Sequence, residues 1–320
     1  MIELKKHLLV GSLSIVMVFM VAVLSALINN RSANIVVQEE NRSDSISKSE
    51  KMIRILLDGE SVDMDMNDYL TGVLLCEIPE SFHLEAKKAQ AVAARTFVLR
   101  MEKFSLRHGE CAVCSDPGCC QGYMDETLYL KQGGPTENVS ECRRAVEETD
   151  DLAMYYGDEL IEATYFSCSG GKTEDAIAVW GTEIPYLQSV NSPGEEYAEY
   201  YTDSVIFTAS EFQNMLGKTL EGSPNEWFGN VEYTDGSGVS TIVIGGKRYT
   251  GNELRFLLNL KSTWFSVTTL SDSIIFTTRG FGHRVGLSQY GADAMARSGS
   301  TWQEILEHYY QDIEIRKDGY

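Results

Sequence analysis

An uncharged apolar segment near the N-terminus most constrains what this chain can fold into. Residues 8–28 contain no charged side chain, and only Gly and Ser interrupt their apolar character. A segment of this length spans a bilayer as a helix, because lipid offers no partners for backbone polar groups. The apolar region of a cleavable signal peptide is shorter. We therefore interpret residues 8–28 as an uncleaved transmembrane anchor, with a cleaved signal as the alternative.

The charges before this anchor predict its orientation. Lys5 and Lys6 precede it, and basic residues stay on the cytoplasmic side of a membrane. Residues 1–7 are therefore predicted to form a cytoplasmic tail, and everything after the anchor lies outside the cytoplasm. Residues 29–51 are polar and have little apolar surface to bury, so we expect a flexible tether before a folded part over residues 52–320.

The composition of the chain narrows the possible function classes. Of its 320 residues, 47 are acidic and 27 are Lys or Arg, which gives a formal net charge of −20. Phosphate binding needs clustered Lys and Arg, so this balance argues against a nucleic-acid partner. The hydrophobic fraction of 43% is ample for one large domain, or for one domain with an insertion.

The order of the periodic segments predicts an α+β domain. Strand and helix patterns follow one another without an internal repeat, and residues from about 200 to 270 resemble an inserted subdomain. The predicted elements are a hairpin over 53–66, helices over 69–76, 83–109 and 137–148, strands over 153–190, a helix over 207–216, a hairpin about Gly245–Gly246, a strand over 274–278, and helices from Gln289 and over 302–310.

Glu77 is the first candidate for chemistry. It follows the apolar run VLLC and precedes Ile78 and Pro79, where the proline ends the predicted helix. A partly desolvated carboxyl group favours its neutral form, which raises its pKa. A raised pKa lets a glutamic acid serve as a general acid near neutral pH. The alternative is an exposed glutamate at a helix end.

A glycine-rich segment near the C-terminus is the second candidate. It reads TRGFGHRVGLSQYGADAMA, and its glycines permit a tight loop whose backbone comes close to a ligand. We expect His283, Ser288, Gln289 and Tyr290 to offer hydrogen bonds to a sugar in the same groove as Glu77. The alternative is a loop that merely ends a strand. The glycine spacing fits neither a P-loop nor a dinucleotide site.

A third segment reads TYFSCSGGKTEDA and predicts a strand that ends in a Ser-Gly-Gly turn. It lacks the G-x-S-x-G frame of a nucleophile elbow. Ser169 and Gly170 are candidates for substrate contact, and a purely structural turn is an equal alternative.

Together these segments resemble the stage II sporulation protein D family of peptidoglycan lytic transglycosylases. The resemblance rests on GVLLCEIP with EAKKAQAVAARTF, on SCSGGKTE with VWGTEIPYLQSVNSPGE, and on RGFGHRVGLSQYGADAMA. These motifs stand in the family's order along nearly the whole exported part, and residues 200–270 contribute least.

The resemblance implies a site, a substrate and partners. It assigns the catalytic carboxyl to Glu77 and implicates Lys88 in activity. It implies cleavage of glycan strands whose stem peptides have been removed, at the bond between N-acetylmuramic acid (MurNAc) and N-acetylglucosamine (GlcNAc). It also implies a partner amidase, a membrane protein partner, and a place in the mother-cell membrane facing the intermembrane space during engulfment.

One carboxyl group suffices for this chemistry. Glycoside hydrolases generally use two carboxylates. In a lytic transglycosylase, Glu77 would protonate the glycosidic oxygen and then take the proton from the sugar's own C6 hydroxyl. That hydroxyl closes on C1 to give a 1,6-anhydro end, and intramolecular attack has a high effective molarity.

A cluster of cysteines predicts a metal site in RHGECAVCSDPGCCQGY. Thiolate and imidazole ligands suit zinc, and some clostridial members of the family resemble this pattern. We expect His108, Cys114 and Cys120 to bind zinc in a mainly structural role, with Cys119 and Cys111 as less favoured ligands. A disulfide, Cys111–Cys114 or Cys114–Cys119, is the alternative in an oxidising exterior.

Two other functions compete with the transglycosylase. A zinc-dependent cell-wall amidase needs an open metal position, and no H-E-x-x-H motif occurs here. A non-catalytic scaffold would bind glycan with Glu77 incidental. Anhydro-muramic ends among the products favour the transglycosylase, cleaved amide bonds favour the amidase, and unchanged glycan favours the scaffold.

Overall fold

The structure is a computed structural model, and it describes residues 51–105 and 107–318. The predicted tail, the anchor and nearly all of the tether lie outside these residues. In the part of the chain that the structure describes, no helix is both long and apolar enough to cross a membrane. The described residues combine α-helices with several small sheets, so the predicted mixture of helices and strands is confirmed.

The described part begins with the predicted hairpin. β1 (Met52–Leu57) pairs with β2 (Glu60–Asp65) in antiparallel register. Asp58 and Gly59 join them with positive φ angles, which suit the twist of a two-residue hairpin. A third strand, β3 (Val113–Cys114), pairs in parallel with β1. This pairing fixes the cysteine-rich segment against the sheet.

The helix α1 (Met66–Glu77) carries the first candidate residue at its C-terminal end. The Asp65 carboxylate caps its N-terminus by accepting two amide hydrogens of the first turn. Most of the helix is buried. It ends at Glu77 because Ile78, the residue before Pro79, takes an extended backbone.

The helix α2 (Leu84–Phe104) lies at the centre of the domain. Its many buried alanines allow neighbouring helices and β4 (Leu152–Tyr156) to pack closely around it. The predicted helix over 83–109 is too long, because Ser105 leaves the helical conformation. The chain after Ser105 is therefore available for the loop that contains His108.

The remaining elements outside residues 202–279 belong to two hydrophobic cores that share α2. Parallel pairing joins β6 (Tyr165–Phe166) to β13 (Leu287–Ser288), which places the third candidate segment beside the glycine-rich loop. The other elements are α3 (Glu126–Lys131), α4 (Thr136–Glu148), β5 (Glu159–Leu160), α5 (Ala176–Trp180), α8 (Gln289–Arg297), α9 (Trp302–Tyr309) and β14 (Glu314–Lys317).

Residues 202–279 contain a third core that is formed only by their own side chains. β7 and β12 pair along their whole length, so the segment begins and ends at adjacent points. The predicted helix over 207–216 begins later, because Thr208 caps it and Phe207 belongs to a strand. The elements are β7 (Thr202–Thr208), α6 (Ala209–Leu216), β8 (Phe228–Tyr233), β9 (Val239–Ile244), β10 (Lys247–Thr250), α7 (Gly251–Leu257), β11 (Phe265–Thr269) and β12 (Ser273–Arg279).

A substitution at Phe212 tests the assignment of this third core. Its ring is fully buried and stacks on Trp227 at a centroid distance of 6.2 Å. We expect Phe212→Ala to lower the free energy of unfolding by about 3–5 kcal/mol, because the cavity cannot close completely. Phe256→Ala is the matched control, since 78% of Phe256 is exposed. Equal urea midpoints for the two variants would contradict the assigned core.

Candidate active site

Glu77 lies half-buried where α1 ends. Burial raises the pKa of its carboxyl group, as its apolar sequence neighbours predict. Two groups oppose this shift by favouring the ionised form. The backbone N–H of Gly122 donates a hydrogen bond to Glu77 Oε1 over 2.7 Å, and the side chain of Gln289 lies beside the same carboxyl group. Glu77 can therefore exist in either protonation state.

A cavity of about 350 Å³ opens beside Glu77. Five parts of the sequence line it: the end of α1, α2, the cysteine-rich segment, the chain around β6, and the glycine-rich segment. Aromatic rings and hydroxyl groups stand together in its walls, which suits a sugar with its flat faces and hydroxyls. The lining residues are Glu77, Phe97, Pro117, Cys120, Ala163, Thr164, Tyr165, Phe166, Ser167, Phe281, Gly282, His283 and Gln289.

The structure brings two of the four candidates in the glycine-rich segment to this cavity. His283 and Gln289 line it. Ser288 is fully buried, and its hydroxyl caps α8 by accepting the amide hydrogen of Gly291 over 3.3 Å. Tyr290 packs edge-on against Phe82 at 4.9 Å between ring centroids. Ser288 and Tyr290 are not among the described residues that line the cavity, because one caps a helix and the other packs between aromatic rings.

Ser169 and Gly170 form a structural turn and are not among the described lining residues. The fully buried Glu195 carboxylate accepts the amide hydrogen of Ser169 over 2.7 Å and its hydroxyl hydrogen over 2.9 Å. Gly170 has a positive φ, and an added Cβ there would lie 2.8 Å from the backbone of Arg279. The turn positions the cavity indirectly, since Cys168 beside it exchanges two backbone hydrogen bonds with Phe281.

Four residues of the third segment line the cavity: Thr164, Tyr165, Phe166 and Ser167, within and beside β6. The sequence prediction favoured the Ser-Gly-Gly turn and missed them. The predicted strand before that turn was the available signal, because a strand beside a site can present its side chains to it.

Lys88 lies on α2 and is not among the described residues that line the cavity. Its ammonium group forms ion pairs with Glu85 and Glu148, each at 2.7 Å. These contacts join two helices, so the geometry gives Lys88 a positioning role at most. Its part in activity stays a prediction.

Four side chains of the predicted metal segment converge. The ligand atoms of His108, Cys114, Cys119 and Cys120 all lie within 4.8 Å of one another. His108 Nε2 lies 3.3 Å from Cys120 Sγ and 3.6 Å from Cys119 Sγ. Tetrahedral zinc with its usual bond lengths holds such ligand atoms about 3.5–4 Å apart, so the donor set and spacing fit zinc.

The cluster differs from the favoured ligand set in one detail. Cys119, a less favoured ligand in the sequence analysis, faces it together with Cys120. The side chain of Arg107 lowers the pKa of Cys119 by hydrogen bonding, which favours the thiolate that a metal requires. Cys111 points elsewhere, because its sulfur lies 3.1 Å from the Ser61 hydroxyl.

Gly122 connects this cluster to Glu77, and sequence inspection missed it. It follows Cys120 by two positions and supplies the N–H that contacts the carboxyl group. An added Cβ at Gly122 would lie 2.7 Å from Cys76 Sγ and 3.0 Å from Glu77 Oε1. Only glycine therefore allows the loop to approach α1 this closely.

A family model described as stage II sporulation protein matches residues 59–156. The stage II sporulation protein D of Bacillus subtilis is 39% identical over 258 residues, which cover 79% of this chain and 75% of that one. The protein of the same name from Bacillus amyloliquefaciens is 37% identical, with coverages of 79% and 74%. A more distant relative, the amidase enhancer of Bacillus subtilis, is 26% identical over 75% of this chain and 39% of its own length.

The raised pKa of Glu77 predicts how Glu77→Gln changes the pH dependence of stability. A carboxyl whose folded-state pKa is raised stabilises the fold only while protonated, so this stabilisation is lost as pH rises through the folded-state pKa. Gln does not titrate. The variant should therefore gain stability relative to the unchanged protein between about pH 4 and pH 8. Urea unfolding of both proteins at the two pH values measures this difference in stability, and parallel pH profiles of the two proteins would contradict the assigned burial.

Proposed function

The chain belongs to the stage II sporulation protein D family, and from that premise we propose that it is a lytic transglycosylase acting on peptidoglycan. The bond cleaved is the one between MurNAc and GlcNAc, in strands that lack stem peptides, during engulfment. The observation that carries this proposal is the half-buried carboxyl of Glu77, with its raised pKa, in the wall of an aromatic, hydroxyl-rich cavity.

A one-carboxyl mechanism fits the composition of the cavity. Among the described residues that line it, Glu77 is the only acidic one. Hydrolases place a second carboxylate opposite the first, to activate water or to attack the sugar. The cavity therefore favours a reaction whose nucleophile is the substrate itself.

The contacts of Glu77 support both proton transfers. Burial raises the pKa of the carboxyl and so favours the protonated form, from which Glu77 donates its proton to the leaving glycosidic oxygen. The Gly122 N–H then stabilises the carboxylate that remains. That carboxylate accepts the proton of the C6 hydroxyl as it closes on C1, which leaves a 1,6-anhydro end and restores the acid.

We expect Glu77→Gln to lower glycan cleavage at least about a hundredfold, because Gln keeps the shape but carries no transferable proton. Mass spectrometry of glycan strands lacking stem peptides should show 1,6-anhydro ends with the unchanged protein and almost none with Glu77→Gln. Glu80→Gln is the control, since Glu80 is an exposed carboxylate near the same helix end. Cleaved amide bonds would instead support an amidase, and unchanged glycan would support a scaffold.

We also propose that zinc binds at His108, Cys114 and Cys120, with Cys119 as the fourth ligand. Three thiolates and an imidazole form a closed set, which is typical of structural zinc. The role assigned to these residues is to hold their loop against α1. Gly122 then keeps its contact with Glu77 while the glycan substrate occupies the cavity.

Purified protein should contain about one equivalent of zinc, as expected for a site whose ligands fold around the ion. Cys114→Ser should lose the zinc and lower the melting temperature. Cys111→Ser is the matched control, because Cys111 is also buried but lies outside the cluster. Free thiols counted with a colorimetric reagent test the alternative: less than about a tenth of an equivalent of zinc, with no free thiols in the segment, would establish a disulfide.

The location of the chain and its partners complete the proposal. We propose that residues 8–28 anchor it in the mother-cell membrane, with the folded part facing the intermembrane space. There it acts with a cell-wall amidase and a membrane partner. Both partners follow from the family, and the amidase fits the substrate, because its reaction removes the stem peptides.

A further inference from the structure

Trp180 extends the cavity wall beyond the residues that face Glu77. His283 lies between two aromatic rings, with Phe166 at 5.6 Å and Trp180 at 5.5 Å between centroids. Phe166 and His283 line the cavity, whereas Trp180 stands beside them with 41% of its surface exposed. An exposed indole next to a sugar cavity is a stacking surface for a further ring of a glycan.

A positive charge lies close to the same edge of the cavity. α7 is tied to α5 by a hydrogen bond from Asn252 Nδ2 to the Val179 carbonyl oxygen over 3.0 Å. Arg255 lies three residues after Asn252, so both side chains project from the same face of α7. Burial, together with the nearby charge of Arg255, lowers the pKa of His283 to about 4. The guanidinium is therefore near the imidazole ring.

Arg255 has no carboxylate partner among the described residues, although it is only partly exposed. The fully buried arginines are satisfied differently. Arg284 contacts Glu174 at 3.3 Å and three carbonyl oxygens, and Arg95 donates to three backbone carbonyls. The Arg255 guanidinium lies over the exposed Phe256 ring at 5.6 Å and has no anionic partner among the described residues. An anionic ligand would therefore stabilise this partly desolvated cation.

We propose that Arg255 binds the free lactyl carboxylate of a muramic acid residue, while Trp180 stacks on the adjoining sugar. Removal of a stem peptide by an amidase converts the lactyl amide into a carboxylate. A guanidinium pairs with that carboxylate through two parallel hydrogen bonds, whereas a neutral amide offers one acceptor and no charge. Arg255 thereby selects strands without stem peptides. This inference rests on the proposed function and identifies the residue that distinguishes strands without stem peptides from strands that carry them.

Binding rather than cleavage tests the proposal. The full chain carrying Glu77→Gln is titrated with two GlcNAc–MurNAc oligomers of equal length, one with free lactyl carboxylates and one with lactyl methylamides. The first should bind about tenfold or more tightly, as a charge-assisted pair predicts. Adding Arg255→Gln should abolish this preference and leave the affinity for the methylamide oligomer unchanged. Arg255→Lys should retain part of the preference.

Two further variants separate charge recognition from folding. Arg248→Gln is the matched control, since Arg248 also lies within residues 202–279 and forms an exposed ion pair with Glu232. This variant should keep the preference for the oligomer with free carboxylates. Trp180→Ala should weaken the binding of both oligomers equally, because stacking on the sugar ring does not depend on the charge of the lactyl group. Equal affinities of the parent protein for the two oligomers, or an undiminished preference in Arg255→Gln, would overturn the proposal. Absence of anhydro ends would instead refute the proposed function and leave a measured preference intact.

Discussion

One backbone hydrogen bond, from the amide of Gly122 to the carboxyl group of Glu77, joins the two parts on which the site depends. Glu77 belongs to a helix that ends before a proline, and Gly122 belongs to the loop that carries the His–Cys cluster. β3 attaches the same loop to the first hairpin. Without this contact the ionised carboxylate would lose a charge-assisted hydrogen bond in a partly desolvated position, where such a loss is expensive.

Two buried polar centres hold the opposite wall of the cavity. Glu195 fixes the Ser-Gly-Gly turn, and Arg284 binds carbonyl oxygens of Ser169, Lys172 and Gly236. Arg284 has a positive φ, directly after His283 in the glycine-rich loop. The arginine thus connects the loop to residues 202–279 through the Gly236 carbonyl.

Local patterns predicted the elements better than the contacts between them. The first hairpin, the helix ending at Glu77 and the hairpin at Gly245–Gly246 follow from turn residues and periodicity, which act within a few positions. The contact from Gly122 to Glu77 joins residues 45 apart, and no local pattern reports it. Ser288 and Ser169 drew attention as polar residues near glycines, yet the fold uses both as internal hydrogen-bonding groups. Cys119 was a less favoured ligand in the sequence analysis, yet its sulfur and that of Cys120 both lie in the cluster.

The proposed chemistry of Glu77 depends on the fold, because the same burial that packs the end of α1 must also favour the protonated form of this carboxyl. Its pKa is measured by NMR titration of protein with ¹³C-labelled glutamate side chains, with the Glu77→Gln spectrum identifying the resonance. We expect a midpoint clearly above the ordinary value of about 4.3 for glutamic acid. A midpoint at or below that value would show that Glu77 is ionised at neutral pH, and would contradict its role as the acid.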